Sequence, residues 1–393
     1  MAKKKKSSSK KNGFQAVNQI EPKALSQTRA DVKTWKNAIA MATNVDNPKM
    51  FPLYNLFKDI EIDALLSSQI ENRKNKVLGS PFSIKNANGD IDEEATKTLT
   101  DSVWFPSIVS NILDSRYNGY TLIELDFKPD GKPFVELVPR QNVLPYSKEI
   151  LKDSTEDKGE NYGNAPEFNT WLLDFGKPGD FGLLNKLVPH VLFKRFASSC
   201  WSELCEIYGI PPRVMKTDTQ NKAALNRAEA MMKDWGAAAW FIIDESEKIE
   251  WAQGMSTSGE VYSNLIAHCN NEISMLISGA IIGQDTKNGS KGKELSSQDV
   301  LQDLVNADKV KVQEYSNDKV LDALYRIGLI PSEGMRLEYD LSEDLTELWT
   351  RTKDVLAYKD VDNDWIEDKF GIPVKDKAKE PEGQKLNLSS FFD

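Results

Sequence analysis

Length, composition and charge limit what this chain can be. The sequence has 393 residues, of which 40% are hydrophobic, and a formal net charge of −10 at pH 7. That length predicts about two to three domains, and the hydrophobic content is enough to build their cores. No apolar run approaches the roughly 20 residues of a bilayer-spanning helix, and no apolar segment follows the first lysines. We therefore expect a globular protein with no signal peptide and no membrane-embedded segment.

Positive charge is concentrated at the start of the sequence, which reads MAKKKKSSSKKN. A lysine and serine tract cannot bury enough apolar surface to fold, so we expect a disordered basic tail over residues 1–30. The acidic remainder argues against a usual DNA-binding domain, whose affinity comes from neutralising phosphates. Two interpretations of the tail stay open. It is either a solvated tail or a nonspecific handle for nucleic acid or an acidic partner, which would use Lys3, Lys4, Lys5, Lys6, Lys10 and Lys11.

Helices and strands are interleaved along the first half of the chain. Apolar residues recur with helical spacing from Phe51 to Val77 and again from Thr98 to Gly119. Between these helices, alternating residues from Phe82 lead to Asn88-Gly89, the pair best suited to a tight hairpin turn. The pattern therefore predicts helix, β-hairpin and helix in that order.

A second hairpin follows the helix that ends near Gly119. The strand-like runs TLIELDF and FVELVP flank a turn at Pro129-Asp130-Gly131. Residues 153–169 are rich in Asp, Glu, Gly and Asn and predict a loop, and residues 170–175 predict another short strand. Because these elements are mixed without a βαβ repeat, the sequence predicts an α+β fold.

The stretch from Leu187 to Lys216 reads LVPHVLFKRFASSCWSELCEIYGIPPRVMK. Its apolar residues follow the three-to-four spacing of one buried helical stripe. We expect Pro189 to lie where this helix starts and Gly209 to end it, because the prolines Pro211 and Pro212 cannot continue a helix. The sequence therefore predicts a long amphipathic helix that stops abruptly.

Further helical patterns follow this stop. Residues 221–235 predict a short helix, which precedes the strand-like run AAWFIIDE, and residues 258–281 predict a second long amphipathic helix. A third pattern runs from Glu294 to Gly328. A straight helix of that length would span about 50 Å, longer than a compact domain of this size offers, so we expect a kink or a role in an oligomer.

Two blocks of this sequence resemble the portal proteins of tailed bacteriophages, specifically the Mu-like branch. In the first block, a lysine-arginine-aromatic helix with a tryptophan leads into a Glu-Ile-Tyr-Gly-hydrophobic-Pro turn, here Lys194, Arg195, Trp201, Glu206, Ile207, Tyr208, Gly209, Ile210 and Pro211. The second block reads NEISMLISGAIIGQDTKNGSKGK over residues 271–293 and resembles the family's Glu-Ile-Ser helix running into a Gly-Gln-x-Thr loop. Asp285 departs from the small or hydroxyl residue expected in that loop.

The resemblance implies a portal-type α+β fold with a defined order of regions. After the tail come the N-terminal part of the wing at 31–181, a first stem helix at 182–209, a clip at 210–257 and a second stem helix at 258–281. These are followed by a channel loop at 282–293, a long helix with the C-terminal part of the wing at 294–360, and a crown-like or flexible region at 361–393. The implied stem and subunit-packing residues are Lys194, Arg195, Trp201, Tyr208, Ile273 and Leu276. The implied DNA-channel residues are Lys287, Asn288, Ser290, Lys291 and Lys293.

The function implied by the resemblance is structural. Portal subunits form a ring, typically of twelve copies, at one vertex of the virion capsid, and double-stranded DNA passes through the ring during packaging and ejection. The implied partners are other copies of the chain, the terminase large subunit, a major capsid or scaffolding protein and a neck or adaptor protein, with no membrane. The ring would assemble in the host cytoplasm. An acidic body fits a channel in which DNA slides, because tight phosphate binding would impede movement.

Catalytic and metal-binding patterns are weak in this sequence. GQDTKNGSKGK is not a P-loop, because five residues separate Gly283 from Gly289 and no Gly-Lys-Ser/Thr follows. Asp360, Asp362 and Asp364 begin like a calcium loop, but Trp365 stands where the sharp turn requires glycine. The cysteines, Cys200, Cys205 and Cys269, fall inside helical apolar patterns and are interpreted as small buried residues. We therefore expect no enzyme activity, no metal and no cofactor.

Two other classes of protein remain open. A nucleic-acid-processing enzyme would need clustered carboxylates or a metal site and would show magnesium-dependent nuclease activity. A monomeric helical interaction protein would bury its apolar helix faces internally and would have a mass near 44 kDa in solution.

Overall fold

The structure is a computed structural model that describes residues 23–209, 213–234, 240–244, 246–247, 259–281, 291–339, 345–356, 358–359 and 361–373. It contains two compact units, which divide between Tyr339 and Asp340. Helices and small sheets alternate along the first unit, so the predicted α+β class is confirmed. The basic residues of the predicted tail, Lys3 to Lys11, lie outside the described ranges.

Helices form the start of the described chain: α1 (Lys23–Ala42), α2 (Phe51–Ile60) and α3 (Ala64–Leu78). Helix α1 begins inside the range 1–30 that we expected to be a disordered tail, so that expectation is wrong from Lys23 onward. The single helical stretch predicted from Phe51 to Val77 is divided in two. Asp63 causes the division, because its carboxylate accepts hydrogen bonds from the N–H groups of Leu65 and Leu66, both at 3.1 Å, and so caps α3.

The first predicted hairpin is wrong in its pairing. The tight turn exists, with Gly89 at φ 90° and an isolated bridge between Lys85 and Ile91. After this turn, however, Asp92 caps helix α4 (Glu93–Thr100) instead of starting a return strand. The strand β1 (Phe82–Lys85) pairs in antiparallel fashion with β10 (Arg336–Tyr339) from the far end of the unit. The sequence pattern predicted that β1 pairs with the residues just after its turn. In the structure β1 pairs with a distant segment instead.

The helix predicted from Thr98 to Gly119 is also two helices, α4 and α5 (Phe105–Asn118). Val103, an apolar residue within that predicted stretch, lies between the two helices and is 90% exposed. Ser102 marks the new start, since its hydroxyl accepts a hydrogen bond from the Phe105 N–H at 3.2 Å. Beyond this start, the stripe residues Ile108 and Ile112 are buried as predicted.

The second predicted hairpin is confirmed. Strands β2 (Tyr120–Phe127) and β3 (Pro133–Leu137) are antiparallel, and β7 (Leu172–Gly176), the short strand predicted near residues 170–175, pairs with the other edge of β2. The predicted loop at 153–169 is only partly irregular. It contains β6 (Glu160–Asn161), which forms a small sheet with β4 (Val143–Leu144) and β5 (Glu149–Ile150). These strands are only two residues long, too short to show a hydrophobic period.

Two long helices, α6 (Gly182–Gly209) and α8 (Glu260–Ser278), bracket a small α/β insert. The helix ranges agree with the prediction, but Pro189 lies inside α6 and not at its start. The insert is β8 (Arg213–Lys216), α7 (Lys222–Asp234) and β9 (Trp240–Ile243), with β8 and β9 parallel. The predicted order of helix and then strands was wrong, because the four-residue β8 precedes α7. The described part of the insert is therefore one βαβ unit.

The long helical pattern from Glu294 to Gly328 is interrupted, as expected for a helix of that length. Helix α9 (Lys291–Tyr315) passes through a π-helical turn (Ser316–Val320) into α10 (Leu321–Ile327). A side chain in that turn explains the interruption. Asn317 donates to the Leu337 carbonyl at 3.1 Å and accepts from the Leu337 N–H at 2.7 Å. These two hydrogen bonds satisfy the backbone N–H and carbonyl groups of Leu337 in β10. They hold Asn317 in place within the π-helical turn, which has one residue more than an α-helical turn.

Among the described residues, three apolar clusters hold the first unit together, and two of them are large. One joins α5, the sheet of β2, β3 and β7, and the α9–α10 segment, with Phe105, Phe175 and Val312 buried at its centre. The other joins α1, α2, α6 and α8 around Leu53, Val191 and Ile273. The second cluster fixes the two long helices against the N-terminal helices.

The second unit contains α11 (Leu345–Leu356) and α12 (Asn363–Phe370). The ring of Phe370 lies edge-on to Trp349, with ring centroids 4.9 Å apart, and to Trp365. The acidic run that resembled a calcium loop has a structural use here. The Asp362 carboxylate accepts a hydrogen bond from the Asp364 N–H at 3.2 Å and caps α12.

Candidate functional site

The paired helices α6 and α8 carry the residues that sequence analysis assigned to subunit packing. They pack along each other through buried side chains that include Val191, Ile273 and Ile277. Leu276 is partly buried against the same cluster. Tyr208 lies in the helical backbone of α6, but its side chain is not among those described. Within one chain, Ile273 and Leu276 therefore pack against the neighbouring helices of the same unit.

Lys194 and Arg195 make ion pairs within the chain. The Lys194 ammonium lies 2.8 Å from Oδ2 of Asp63, the residue that also caps α3, and both side chains are largely buried. Arg195 binds the Asp59 carboxylate and the Asp59 carbonyl. These contacts anchor the middle of α6 to α2 and to the cap of α3. Subunit packing by these two residues stays a prediction.

Replacing Asp63 with alanine should lower the midpoint of thermal unfolding, because α3 loses its cap and Lys194 loses its partner. Each loss costs about 1 kcal/mol, so about 2 kcal/mol in total. Asp63→Asn is the matched control, since its side-chain oxygen can still cap α3 and accept from Lys194, and it should lose less than half as much. Equal losses in the two variants, measured by circular dichroism, would contradict the double role of Asp63.

Trp201, which falls in the predicted apolar stripe of α6, is only partly covered within one chain, and its role in subunit packing stays a prediction. Its side chain is 38% exposed, and its indole lies against Gly259, where a Cβ atom would come within 2.7 Å of the ring nitrogen. Gly259 is the N-cap residue of α8, directly before Glu260. Trp201 therefore packs against the start of α8 with one edge and leaves another uncovered.

Other exposed apolar residues lie on the same two helices. Val261 is 71% exposed and Met275 is 50% exposed, and Phe193 is also exposed. Val261 and Met275 are 14 residues apart, which is about four helical turns, so they share one face of α8. Phe193 and Trp201 on α6 and Val261 and Met275 on α8 are thus apolar side chains that remain exposed within one chain. We call these four residues the α6–α8 outer face. Its residues fit a role in contacts with another chain.

The βαβ insert has its own small core and an uncovered side. Ala228, Met232 and Ile243 are buried, whereas Val214, Met231 and Phe241 are exposed. The loop after β8 is tied to the loop after β9 by Asp244, whose carboxylate accepts from the Thr219 hydroxyl at 2.9 Å. Hydrogen bonds from Ser246 and Thr219 hold the pKa of Asp244 well below its usual range. The carboxylate therefore keeps its charge and its role in the turn over the whole physiological pH range.

A buried cluster of charged residues lies at the C-terminal end of α8. The Arg73 guanidinium on α3 binds Asp308 on α9 through two N–H groups, at 2.6 and 3.1 Å, and donates a third hydrogen bond to the Ile277 carbonyl at 2.5 Å. Arg116 on α5 adds a bond to Asp308 at 2.8 Å. Arg73 and Asp308 are almost fully buried. We name Arg73, Arg116 and Asp308 the charged triad.

The charged triad fixes four helices at the base of the predicted channel loop. Just beyond Ile277, the Ser278 hydroxyl binds the buried Gln69 side chain, and Gly279 ends α8 in the left-handed conformation, with φ 72°. Residues 282–290, which include Lys287, Asn288 and Ser290, lie outside the described ranges. The predicted loop extended to residue 293, but the backbone of α9 begins at Lys291. Lys291 and Lys293 therefore fall in the first turn of a helix.

Chemical reactivity is not evident in the described part of the chain. No group of three or more His, Cys, Asp or Glu side chains in the described ranges is arranged to hold a metal ion. Cys269 is buried as predicted, and burial raises the pKa of its thiol, but Cys205 is exposed, so its interpretation as a small buried residue was wrong. Among the described helices, none is both long and apolar enough to cross a bilayer.

The chain mixes helices and small sheets, and its two long paired helices bracket a small insert. This is the arrangement expected from the resemblance of its two sequence blocks to portal proteins. The family described as the portal protein of Mu bacteriophage has a sequence profile that matches residues 54–372, most of the 393-residue chain. The chain belongs to this family.

Two relatives are similar along most of the chain. The portal protein of Escherichia phage Mu is 23% identical over 349 residues, which cover 81% of this chain and 67% of that protein. The Mu-like prophage FluMu protein gp29 of Haemophilus influenzae is 20% identical over 358 residues, covering 81% and 66%. The match thus spans about two thirds of the length of these relatives. A chain from the neck of an empty GTA particle, solved with C6 symmetry, superposes with a TM-score of 0.46 at 12% identity, covering 78% of this chain and 90% of that one.

Proposed function

We propose that this chain is a structural portal subunit. In this proposal, copies of the chain form a closed ring at one vertex of a phage or prophage capsid, and double-stranded DNA is packaged and ejected through the ring. The observation that carries the proposal is membership of the Mu portal family over residues 54–372. The chain itself catalyses no reaction, so the ATP hydrolysis that drives packaging takes place in another protein.

The regions of the chain have separate roles in this proposal. Helices α6 and α8 form the stem, and the βαβ insert within residues 210–257 is the clip, which docks the terminase large subunit. Residues 31–181 and 294–360 form the wing, which contacts the major capsid or scaffolding protein, and residues 361–393 form a crown-like region. A neck or adaptor protein binds after packaging. The ring assembles in the host cytoplasm and stays in the virion.

The α6–α8 outer face supports the ring. Phe193, Trp201, Val261 and Met275 remain uncovered within one chain, and an apolar surface of this kind is stabilised when another protein covers it. In a ring, each subunit presents one face to the preceding copy and a different face to the following copy. The outer face of one subunit would then be covered by its neighbour, without exposing a new apolar surface elsewhere.

Electron microscopy and mass measurement of the purified chain test the ring directly. The expected result is closed rings with a central hole and a mass that is a multiple of 44.3 kDa. Monomers and dimers alone, across a range of salt and protein concentration, would favour a monomeric interaction protein. Nuclease activity that depends on magnesium, and that is absent from a mock purification, would favour a nucleic-acid-processing enzyme.

Residues 282–293 form the channel loop in this proposal, with Lys287, Lys291 and Lys293 facing DNA. Lys291 and Lys293 fall in the first turn of α9, where the helix adds its own partial positive charge. Repeated around a ring, these lysines would make a band of positive potential in an acidic tunnel. Such contacts to phosphates are independent of sequence and are weakened by salt.

Replacing Lys287, Lys291 and Lys293 together with serine should preserve rings and empty capsids but reduce the amount of DNA packaged or retained. The reason is the loss of three phosphate contacts per subunit. The control replaces three exposed lysines elsewhere, Lys132, Lys152 and Lys158, with serine, and it should package normally. Normal packaging by the first variant, at every salt concentration tested, would leave the loop lysines without this role.

A further inference from the structure

A polar cavity of about 260 Å³ opens between α5, the turn from β7 to α6, and the C-terminal part of α9. This volume is many times what a single water molecule needs. The cavity lies wholly within the first unit, and none of the four residues of the α6–α8 outer face lines it. Neither the sequence blocks nor the proposed ring assigns it a role.

Positive side chains dominate the wall of this cavity. Arg116 from α5, Lys177 from the turn after β7, Lys186 from α6 and Lys311 from α9 all line it, and the one carboxylate that lines it belongs to Asp180. The four cations reach the cavity from four separate segments. In a chain with a net charge of −10, so many cations around one small volume repel one another unless an anion lies between them.

The nearby carboxylates are already engaged. The Asp180 carboxylate accepts a hydrogen bond from the Gly182 N–H at 2.8 Å, and Asp308, which binds Arg116, is also held by Arg73. Within the described residues, Lys177 and Lys186 form no ion pair with a carboxylate, and the Lys311 ammonium lies 5.4 Å above the Tyr315 ring. These three ammonium groups are therefore available to a ligand.

The backbone part of the wall is closely packed. Gly119, Gly176 and Gly182 line the cavity with φ angles of 85°, 98° and 67°, and a Cβ atom on any of them would come within about 2.2 Å of a backbone oxygen. Helix α6 begins at this wall, and the Asp180 carboxylate takes its first N–H group, that of Gly182. The other N–H groups of the first turn add partial positive charge near the wall.

We propose that this cavity binds a phosphate group. Its wall offers what a multiply charged oxyanion needs: point charges from several directions, a guanidinium and a helix N-terminus, around a polar volume. The phosphate is either inorganic phosphate or part of a larger molecule, such as the backbone of DNA. Binding of inorganic phosphate does not depend on the proposed portal function, whereas occupancy by a DNA phosphate rests on it.

The test uses the full chain and the variant Lys186→Gln/Lys311→Gln. Its matched control is Lys132→Gln/Lys152→Gln, which removes the same charge from two exposed positions outside the cavity. Binding of sodium phosphate is measured by isothermal titration calorimetry and by the thermal midpoint, with sodium chloride at equal ionic strength as the reference. A second arm asks whether a short DNA duplex displaces phosphate from the parent chain.

The expected result is saturable phosphate binding by the parent and the control, with affinity reduced about tenfold or more in the cavity variant. The cavity variant should keep nearly the parental thermal midpoint in chloride, because Lys186 is exposed and neither lysine forms an ion pair within the described residues. Displacement by the duplex would identify a DNA phosphate as the ligand, and failure to displace would identify a small phosphate compound. Equal affinity in the cavity variant and the control, or no difference between phosphate and chloride, would overturn the proposal.

Discussion

Replacing Arg73 with alanine is expected to destabilise the first unit by about 3–5 kcal/mol, the largest effect of any single substitution proposed for this chain. The variant leaves Asp308 buried with only Arg116 to neutralise it, and it leaves the Ile277 carbonyl without its donor. A buried charge without its partner costs its full desolvation. The measurement is the midpoint of thermal unfolding by circular dichroism, together with hydrogen exchange of the last turn of α8, which should speed up.

Two further variants test whether the loss of stability in Arg73→Ala comes from the charged triad or from removing any arginine. Arg326→Ala removes a surface pair, with Asp322 at 3.6 Å, and should cost less than about 1 kcal/mol. The double variant Arg73→Met/Asp308→Leu removes both buried charges and should recover much of the stability lost in Arg73→Ala. The charge that loses its partner is then Arg116, whose side chain is 33% exposed and can stay hydrated. If Arg73→Ala were no less stable than Arg326→Ala, the triad would not hold these helices together.

Placing aspartate at both Val261 and Met275 should abolish rings while leaving the subunit folded. Both side chains are more than a third exposed in one chain, so the charges stay hydrated in the monomer. In the proposed ring they would be buried by the neighbouring copy. Lost burial of the two apolar side chains amounts to roughly 4 kcal/mol per interface, which is about a thousandfold in association.

Analytical ultracentrifugation and electron microscopy of this double variant should find monomers with the circular dichroism spectrum of the parent. Val103→Asp is the control, because Val103 is more exposed than either residue and lies between α4 and α5. It should form rings like the parent. Rings of normal yield from the Val261→Asp/Met275→Asp variant would show that the α6–α8 outer face is not the subunit interface.

Local chemistry explains which elements the sequence predicted correctly. The hairpin of β2 and β3 was found because its turn, Pro129-Asp130-Gly131, needs a glycine at φ 80°, and alternation on both sides sets the register. The range of α6 was found because its long apolar stripe ends at a glycine followed by prolines. These signals lie within a few residues of the feature that they specify, so no knowledge of the rest of the chain is needed.

The sequence predictions failed where contacts with a distant part of the chain, and not the neighbouring residues, decide the structure. Strand β1 has a good hairpin turn beside it but pairs with β10, which lies some 250 residues away. Trp201 stands in an apolar stripe but is only partly covered within one chain, since its indole lies against Gly259 and stays 38% exposed. Periodicity shows that a face is apolar, but it does not show how much of that face another element covers.

The charged triad was missed although a signal was present. Arg73 lies three residues after Ile70 and four before Val77, and Asp308 has the same spacing between Val305 and Val312. Each charge therefore stands on the buried face of its helix. A charged residue at such a position predicts a buried partner of opposite sign. From the sequence one could have predicted that Arg73 and Asp308 each form a buried ion pair. The sequence does not show that they form it with each other.

The sequence by itself determined the α+β class, the long helices and the family, because periodicity, turn chemistry and short motifs are local properties of the chain. Tertiary structure decided the pairing of β1 with β10, the ion pairs of Lys194 and Arg195, the charged triad and the cationic cavity. Each of these joins residues from separate helices or strands. Their energies depend on distance and burial, and both are fixed only when the elements pack together.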